Sequence, residues 1–412
     1  MIDRTPNGAS LPLDNLTLSR KEGFRQLAEA PKRIQPDLMT VGQVALLDEP
    51  AHAAYNRLRR DWHANLGPIK TPQLNALQDD LWDIIDSNVQ DGDKPKGAVA
   101  VDAFPGLGKT TAVLHFAQEF HRREIAELGR LTQDGNERWP VCRVGLTSNI
   151  GMKDFNRSIL EFFAHPARFR GTSAQFLQRA LDCVLGCETR ILIIDDLHFL
   201  KWSDRNGREV SNHFKHIANE FPVTLIFVGV ELEARGLYSE MDMGGDVTLA
   251  QTARRTTPLT MAPFSVNDDQ SRRQWRGLLL WLEKRLILAN KFPGMLADEL
   301  SDYIYARTTG HIGSLMTLIN RGCQRAVRTG AERLDADLLN SVKIDAASEQ
   351  ARKQLEAGLR ARSWTSKVNL VPSATSKKQA SKACASSRDR PTGVRVSLVG
   401  VDDRADTGSV II

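Results

Sequence analysis

The chain has 412 residues, of which 41% are apolar and 25% are charged, so it can bury a core for one large or two medium domains. It contains no run of about 18 apolar residues, and its N-terminus lacks the basic-then-apolar pattern of a signal peptide. These features predict a cytoplasmic protein with no membrane partner. The formal net charge of +5 is uneven, because residues 351–412 hold 12 basic and 5 acidic side chains. A basic tail is weak evidence for a nucleic-acid surface on the folded part.

Two amphipathic helices are predicted before the first strand. Residues 1–45 are polar and turn-rich, and we expect them to be largely irregular apart from a short helix near residues 20–30. The segment 49–65 carries apolar residues at helical spacing. A second helix, after Pro72, has one apolar stripe that we expect to pack in a core, formed by Leu74, Leu77, Leu81 and Ile84.

Five short apolar runs predict the strands of a parallel sheet. The runs do not alternate with polar residues, as expected for strands buried on both faces, and helical stretches separate them. We therefore predict an α/β nucleotide-binding domain over residues 46–267, with a helical linker at its N-terminal end. The expected strands are 97–104, 141–147, 191–196, 223–229 and 257–262, and the expected helices are 109–127, 154–187 in two pieces, 207–220 and 231–239.

After residue 268 the strand-like runs end, and helical patterns punctuated by glycine follow. They predict a small helical domain over residues 268–348. Residues 349–412 are rich in serine and lysine and poor in aromatic residues, so this tail is predicted to be mostly disordered. Cys183 and Cys187 lie four residues apart without a second pair of ligands, and we interpret them as buried thiols and not as a metal site.

The clearest functional motif is AFPGLGKTT, which follows the apolar run AVAVD. A phosphate loop needs a tight strand-to-helix turn whose backbone N–H groups converge on anionic oxygens, and the next helix adds its positive N-terminus. Lys109 is expected to contact the β- and γ-phosphates of ATP, and the Thr110 hydroxyl to coordinate Mg²⁺. Ala103 stands where the usual pattern begins with glycine. The predicted nucleotide-binding residues are Phe104, Pro105, Gly106, Leu107, Gly108, Lys109, Thr110 and Thr111.

A second motif, ILIIDDLHFL, places two acidic residues at the end of an apolar run. Ligands of open α/β sheets bind at the carboxyl ends of the strands. We therefore expect Asp195 to hold the metal ion, and Asp196 to orient or polarise the water that attacks the γ-phosphate.

Further segments accompany these two motifs in a fixed order along the chain. The segment NRLRRDWHANLGPIKTPQLNAL precedes the phosphate loop, and three segments follow the acidic strand: TLIFVGVELEA, ARRTTPLTMAPF and ARTTGHIGSLMTLINRGCQRAVRTG. Over roughly residues 45–345 the chain resembles the TniB-type (TnsC- and Mu B-like) AAA+ transposition ATPases. The resemblance implies a P-loop NTPase core of the AAA+ type, with five parallel strands between helices and a C-terminal helical lid. It also implies a homo-oligomeric ring or filament that assembles on double-stranded DNA with ATP. In this family such an assembly directs a transposase of the integrase-like class to its target, with an accessory targeting protein as a further partner.

The resemblance also assigns roles that residue patterns alone do not. Arg254 and Arg255 precede the last strand and stand where the family's arginine finger completes the site of a neighbouring subunit. Glu231, after the fourth strand, is the candidate polar sensor. Most AAA+ ATPases have glutamate at the position of Asp196, so its shorter side chain implies slow hydrolysis. The lid carries His311 where an arginine often contacts the γ-phosphate.

DNA contacts are implied only by the resemblance. In assemblies of this family, the loops and helices that follow the second and third strands line a central channel for DNA. The nearest basic residues there are Lys153 and Arg157, or Lys201 and Arg205. The basic tail is the other electrostatic candidate for DNA or for a partner protein.

Two other functions remain open from the sequence. One is a signalling or scaffolding ATPase whose nucleotide switches a protein interaction, which Asp196 and the missing lid arginine favour. The other is a helicase loader or replication initiator, which normally needs a DNA-reading domain after the lid. Residues after 350 lack the apolar periodicity for such a domain.

Overall fold

A computed structural model describes residues 16–90, 96–146, 151–197, 205–234 and 255–368. Within these ranges, five strands form one parallel sheet, which confirms the predicted architecture. In sequence order the strands are β1 (Ala98–Ala103), β2 (Val141–Gly145), β3 (Ile191–Asp195), β4 (Thr224–Gly229) and β5 (Thr256–Met261). Their order across the sheet is β2-β3-β4-β1-β5, and each neighbouring pair is parallel.

The strands form where the sequence is apolar without interruption. Every residue of β3 and of β4 is buried, as expected for central strands that are covered by helices on both faces. Because all five strands are parallel, the segments that leave β1, β3 and β4 all emerge at the same edge of the sheet, where the carboxyl ends of the strands lie. This edge carries the site described below.

The helices agree with the predicted pattern, and several of them begin at a side-chain cap. The Asp48 and Thr71 side chains each accept a backbone N–H at the start of a helix whose first turn contains proline. A short π-helical turn, Met295–Glu299, lies within the lid. The helices are α1 (Lys21–Glu29), α2 (Val41–Ala45), α3 (Glu49–Ala64), α4 (Pro72–Ser87), α5 (Lys109–Leu128), α6 (Met152–Phe162), α7 (Ser173–Gly186), α8 (Arg205–Glu220), α9 (Asp269–Arg285), α10 (Ser301–Thr308), α11 (Ile312–Thr329), α12 (Ala336–Asn340) and α13 (Ala346–Arg360). The expected helix at 231–239 lies mostly outside the described residues.

Buried apolar side chains form two clusters, one around the sheet and one in the helical lid. Helix α4 packs on the sheet, with Ile85 rather than the expected Ile84 completing its buried stripe. Helix α3 instead contributes Tyr55 and Trp62 to the lid cluster, although it precedes the sheet in the chain. The segment between α3 and α4 therefore passes from the lid to the sheet. The described residues up to Val368 form one compact unit, and the domain boundaries at 45, 267 and 348 remain predictions.

The lid continues beyond residue 348, where the sequence predicts a mostly disordered tail. Helix α13 is followed by a short segment that folds back onto α10. The Trp364 indole N–H donates to the Leu355 carbonyl at 3.0 Å, and the Ser366 N–H donates to the Asp302 carboxylate at 2.7 Å. These contacts order the chain as far as Val368, and residues 369–412 lie outside the described ranges.

No helix in the described part of the chain has both the length and the apolar composition that a membrane crossing requires. The same residues contain no cluster of three or more metal-ligating side chains. Cys183 and Cys187 are partly buried free thiols that pack against the sheet cluster. Burial raises the pKa of the Cys183 thiol to about 12, so this side chain stays protonated at neutral pH.

Candidate nucleotide-binding site

The phosphate loop connects the end of β1 to the first residue of α5. Gly106 and Gly108 have φ angles of 79° and 83°, in the left-handed region that favours glycine. Gly108 is also the N-cap of α5 and has no side chain to accept the first backbone N–H groups of the helix. These N–H groups are therefore available to an anion at the loop, where the helix dipole adds positive charge.

The predicted nucleotide-binding residues of this loop differ in their exposure to solvent. Phe104 is 58% exposed and Pro105 is also exposed, while Leu107 is buried. Lys109 and Thr110 are half-buried in the first turn of α5. The loop and the start of α5 lie at the carboxyl ends of the strands, and the Thr110 hydroxyl is close to the acidic motif.

Asp195 and Thr110 come together as the metal prediction requires. Thr110 Oγ1 lies 3.4 Å from Asp195 Oδ1, and Asp195 is 2% exposed. The Asp196 N–H also donates to Asp195 Oδ1, at 2.9 Å. A hydroxyl and a carboxylate oxygen are ligands that Mg²⁺ prefers beside phosphate oxygens and water. The two side chains therefore fit a magnesium ion carried by a nucleotide.

Arg143 is a site residue that sequence reasoning missed. It lies on β2, beside β3, and its Nη2 is 2.7 Å from Asp195 Oδ2. A single arginine interrupting the apolar run VCRVG was the available signal. Its partner could not be named without the strand order, because β2 and β3 are separated by two helices along the chain.

Asp196 and Glu231 both have positive φ angles, of 62° and 55°. Such angles are uncommon for residues other than glycine, although aspartate tolerates them better than most, and they are concentrated at functional sites. Glu231 lies two residues after Gly229, which pairs with Asp102 on β1. The N–H of Leu232 donates to the Asp102 carboxylate at 2.8 Å. Glu231 is therefore at the same sheet edge as the phosphate loop.

An apolar cavity of about 180 Å³ adjoins the phosphate loop. Its walls come from three parts of the chain: the segment between α3 and α4, the phosphate loop with α5, and the lid. Apolar walls of this kind suit the flat base of a nucleotide, whose phosphates would then extend along the loop. The main apolar lining residues are Pro68, Ile69, Leu74, Leu107, Met261, Phe264, Ile312 and Met316.

The lid touches the phosphate loop directly at the start of α11. The Gly313 N–H donates to the Gly106 carbonyl at 2.8 Å. A Cβ added to Gly313 would lie 2.8 Å from the same oxygen, so only glycine fits this contact. His311, the N-cap of α11, has its ring beside Gly106, and its Nδ1 is 2.8 Å from the Thr309 hydroxyl oxygen.

The candidate arginine finger lies at the amino-terminal ends of the strands, on the side of the sheet opposite the phosphate loop. Arg255 immediately precedes β5, whose first residue pairs with the first residue of β1. The six residues of β1 therefore separate it from the loop by roughly 20 Å. Its guanidinium donates to the Asn219 side chain at 3.1 Å. Arg255 thus cannot reach the phosphate loop of its own chain. Arg254 lies outside the described residues.

The structure describes two of the four predicted DNA contacts. Lys153 and Arg157 lie on α6. Lys153 is exposed, as a DNA contact requires, whereas Arg157 is half-buried and pairs with Glu161 at 3.0 Å. Lys201 and the side chain of Arg205 lie outside the described residues. The assignment of any of these four to DNA remains a prediction.

The sheet order, the phosphate loop after β1, the acid at the end of β3 and the helical lid define a P-loop NTPase of the AAA+ type. Residues 68–243 match the model of the TniB family, described as "Bacterial TniB protein". The matched segment includes the phosphate loop and Asp195, and it confirms the resemblance to TniB-type AAA+ ATPases over those residues.

Two solved structures that are similar to the chain have low sequence identity to it. The Aeropyrum pernix ORC2 protein (ADPNP–ADP complexes) is 13% identical with a TM-score of 0.50, covering 72% of each chain. The A. pernix ORC1 protein in complex with DNA is 16% identical with a TM-score of 0.47, covering 74% of this chain and 71% of that one. At such identities the ORC2 likeness supports the fold alone. No curated protein matched the chain.

Proposed function

We propose that the protein is an ATP-binding and ATP-hydrolysing regulator of DNA transposition that oligomerises on double-stranded DNA and directs a partner transposase to its target. The observation that carries the proposal is the pairing of Thr110 with the buried Asp195 behind the phosphate loop, within the segment that matches the TniB family. This arrangement suits Mg-ATP, and the family match favours transposition over other roles of AAA+ proteins.

Each residue at the edge of the sheet has a role in this proposal. The loop N–H groups and Lys109 bind the β- and γ-phosphates, while Thr110 and Asp195 hold Mg²⁺. Magnesium would neutralise charge on the leaving phosphates. Asp196 orients the attacking water, and Glu231 senses the γ-phosphate from the neighbouring strand end.

The position of Arg255 supports oligomerisation in this proposal. Because Arg255 lies at the far end of β1 from the phosphate loop of its own chain, an arginine finger at this position would act on the site of another copy. An arginine finger supplied in this way would make hydrolysis depend on assembly. The proposed ring or filament would bind DNA through Lys153 and Arg157 or their counterparts, and would engage an integrase-like transposase and an accessory targeting protein in the cytoplasm.

Co-sedimentation with duplex DNA tests the proposal. We expect ATP and Mg²⁺ to increase DNA binding by the wild-type chain, and Lys109→Ala to abolish the increase because the phosphates lose their point charge. Equal binding with and without nucleotide would contradict the proposal. Lys153→Ala is expected to weaken DNA binding while leaving nucleotide affinity unchanged.

A second candidate is a nucleotide-switched scaffold that acts on another protein. The presence of His311 beside the phosphate loop, in place of an arginine, and the short side chain of Asp196 favour slow turnover, which suits a switch. Oligomers that form with ATP equally well in the absence of DNA, as measured by analytical ultracentrifugation, would favour this candidate.

A further inference from the structure

A second cavity, of about 360 Å³, lies in the lid between α11 and the segment after α12. We call it the lid cradle. It is separate from the nucleotide site, because Arg321 lies eight residues along α11 from Gly313, or about 12 Å. Its walls are lined by four cationic side chains and by no carboxylate. The lining residues are Arg321, Gln324, Arg325, Arg328, Ser341, Val342 and Lys343.

The positive charges of the cradle are concentrated on one helix face. Arg321, Arg325 and Arg328 follow the spacing that places side chains on one side of a helix, where like charges repel and destabilise it. Within the described residues, the cradle cations form no salt bridge. Arg276 and Arg333, elsewhere in the lid, pair with Asp298 at 2.9 Å and Asp335 at 3.4 Å. The cradle is therefore an uncompensated positive site.

Two of the guanidinium groups are held in place by the backbone. Arg321 Nη1 donates to the Lys343 carbonyl and Arg325 Nη1 to the Ser341 carbonyl, each at 2.5 Å. Each guanidinium has five N–H donors, so donors remain for a ligand. Fixing the groups beforehand reduces the conformational entropy that anion binding would otherwise lose. The Gln324 amide donates to the Arg60 carbonyl at 2.8 Å, which ties the cradle to α3.

We propose that the lid cradle binds consecutive phosphate groups of a DNA duplex. Arginine donors match phosphate oxygens in geometry and charge. Arg321 and Arg328 are two helical turns apart, about 10 Å, so the row of cations is long enough to contact more than one phosphate group of a DNA strand. A row of cations of this length fits a polyanion better than a single free phosphate. The inference rests on the proposed DNA binding and adds a surface on the lid, away from Lys153 and Arg157.

The test is the salt dependence of DNA binding by the full chain. In Arg328→Ala/Lys343→Ala, two exposed charges are removed. Fluorescence anisotropy with a labelled duplex, ATP and Mg²⁺ gives the slope of log affinity against log salt. We expect the slope to become shallower by about 1.8, and affinity to fall by at least about tenfold, because each lost phosphate contact releases about one fewer counterion. Lys353→Ala/Arg360→Ala removes the same charge from α13 and is expected to leave the slope unchanged.

The outcomes separate this inference from the proposed function. If the wild-type chain shows no ATP-dependent DNA binding, both fail. If it binds DNA and the cradle variant keeps the wild-type slope, only the cradle inference fails. Calorimetry with Mg-ATP should give equal nucleotide affinity for all forms. Should the double variant not fold, Arg328→Gln and Lys343→Gln are each expected to reduce the slope by about 0.9. Loss of inorganic pyrophosphate binding with unchanged DNA binding would assign the cradle to a small anion and overturn the inference.

Discussion

The lid and the sheet contain arginine–carboxylate pairs of the same chemistry in different surroundings. In the lid, Arg59 contacts both Glu332 oxygens at 2.6 Å and is completely buried, and the Ala289 N–H donates to Oε2 at 3.0 Å. In the sheet, Arg143 contacts only Asp195 Oδ2. Asp195 Oδ1 faces Thr110 and the backbone at the open edge of the sheet.

This difference separates a structural pair from one that adjoins a ligand. Protein donors satisfy both oxygens of Glu332, so the pair fixes α3 to the lid. Asp195 retains capacity for a metal ion, because its hydroxyl neighbour is at 3.4 Å and lies at the phosphate loop. We infer that Arg143 compensates the buried Asp195 charge when magnesium is absent, and shares it when magnesium binds.

The largest effect is expected from Arg59→Ala. It leaves the Glu332 charge buried and without its cation, which should lower the free energy of unfolding by about 3–5 kcal/mol. Chemical denaturation gives this value. Arg60→Ala, the same change at the exposed neighbouring position, should cost less than about 0.5 kcal/mol. Equal losses in the two variants would remove the distinction between the pairs.

Arg143→Ala should have a smaller effect that depends on the ligand. Without nucleotide, the loss of the hydrogen-bonded cation beside Asp195 should lower the free energy of unfolding by about 2 kcal/mol. With Mg-ATP the loss should shrink, because the metal ion supplies the missing positive charge. Denaturation in both conditions measures the difference. Arg190→Ala, which breaks a more exposed pair with Glu124, should show no such dependence. A loss of the same size with and without Mg-ATP would show that Arg143 is structural, like Arg59.

The Arg143 contact also shows where sequence reasoning ends. The five strands were predicted to within one or two residues, because buried parallel strands are continuous apolar runs. The phosphate loop and Asp195 follow from short motifs at strand ends. The partner of Arg143 depends on β2 lying beside β3, which is a property of the strand order and not of any local pattern.

Tertiary packing explains the other differences. The amphipathic pattern of α3 predicts a buried face but does not say that Trp62 packs in the lid. Residues 349–368 have the composition of a disordered tail, yet the Trp364 ring packs on Tyr305 with ring centroids 5.4 Å apart, and the Ser366 N–H donates to Asp302. In both cases the deciding contact joins residues far apart in the chain, so no window of the sequence contains it.

Acidification should lower the free energy of unfolding by an intermediate amount, because His63 is buried near the Arg59–Glu332 pair. Burial, followed by the charges of Arg59 and Lys291, lowers the pKa of His63 to about 3. Its Nε2 accepts the Ile287 N–H at 2.9 Å and so requires the neutral ring. Below its ordinary pKa of 6.5 the unfolded chain takes up a proton that the folded chain does not. The free energy of unfolding should therefore fall as the pH drops from 6.5 towards 3, by about 2 kcal/mol at pH 5.

His63→Gln separates this titration from general acid denaturation. Glutamine has an oxygen that can accept the Ile287 N–H, but it does not titrate. Denaturation at pH 7 and pH 5 should give a smaller difference for this variant than for the wild type. If the two proteins lose the same stability on acidification, other groups are responsible and His63 is not the sensitive position in the lid.

The smallest effect is expected where the two regions meet. Gly313→Ala would place a Cβ 2.8 Å from the Gly106 carbonyl oxygen. The atoms nearest to this Cβ are backbone atoms of Gly106, which cannot rotate aside as a side chain can, so the lid must move away from the phosphate loop. We expect nucleotide binding to weaken by about 1 kcal/mol, or about fivefold in Kd, measured by calorimetry with Mg-ATP. Gly277→Ala, in α9, meets open space and should leave Kd unchanged while stabilising the helix by up to about 1 kcal/mol. Unchanged affinity in Gly313→Ala would mean that the lid and the sheet bind nucleotide independently, because the contact that joins them would then carry none of the binding energy.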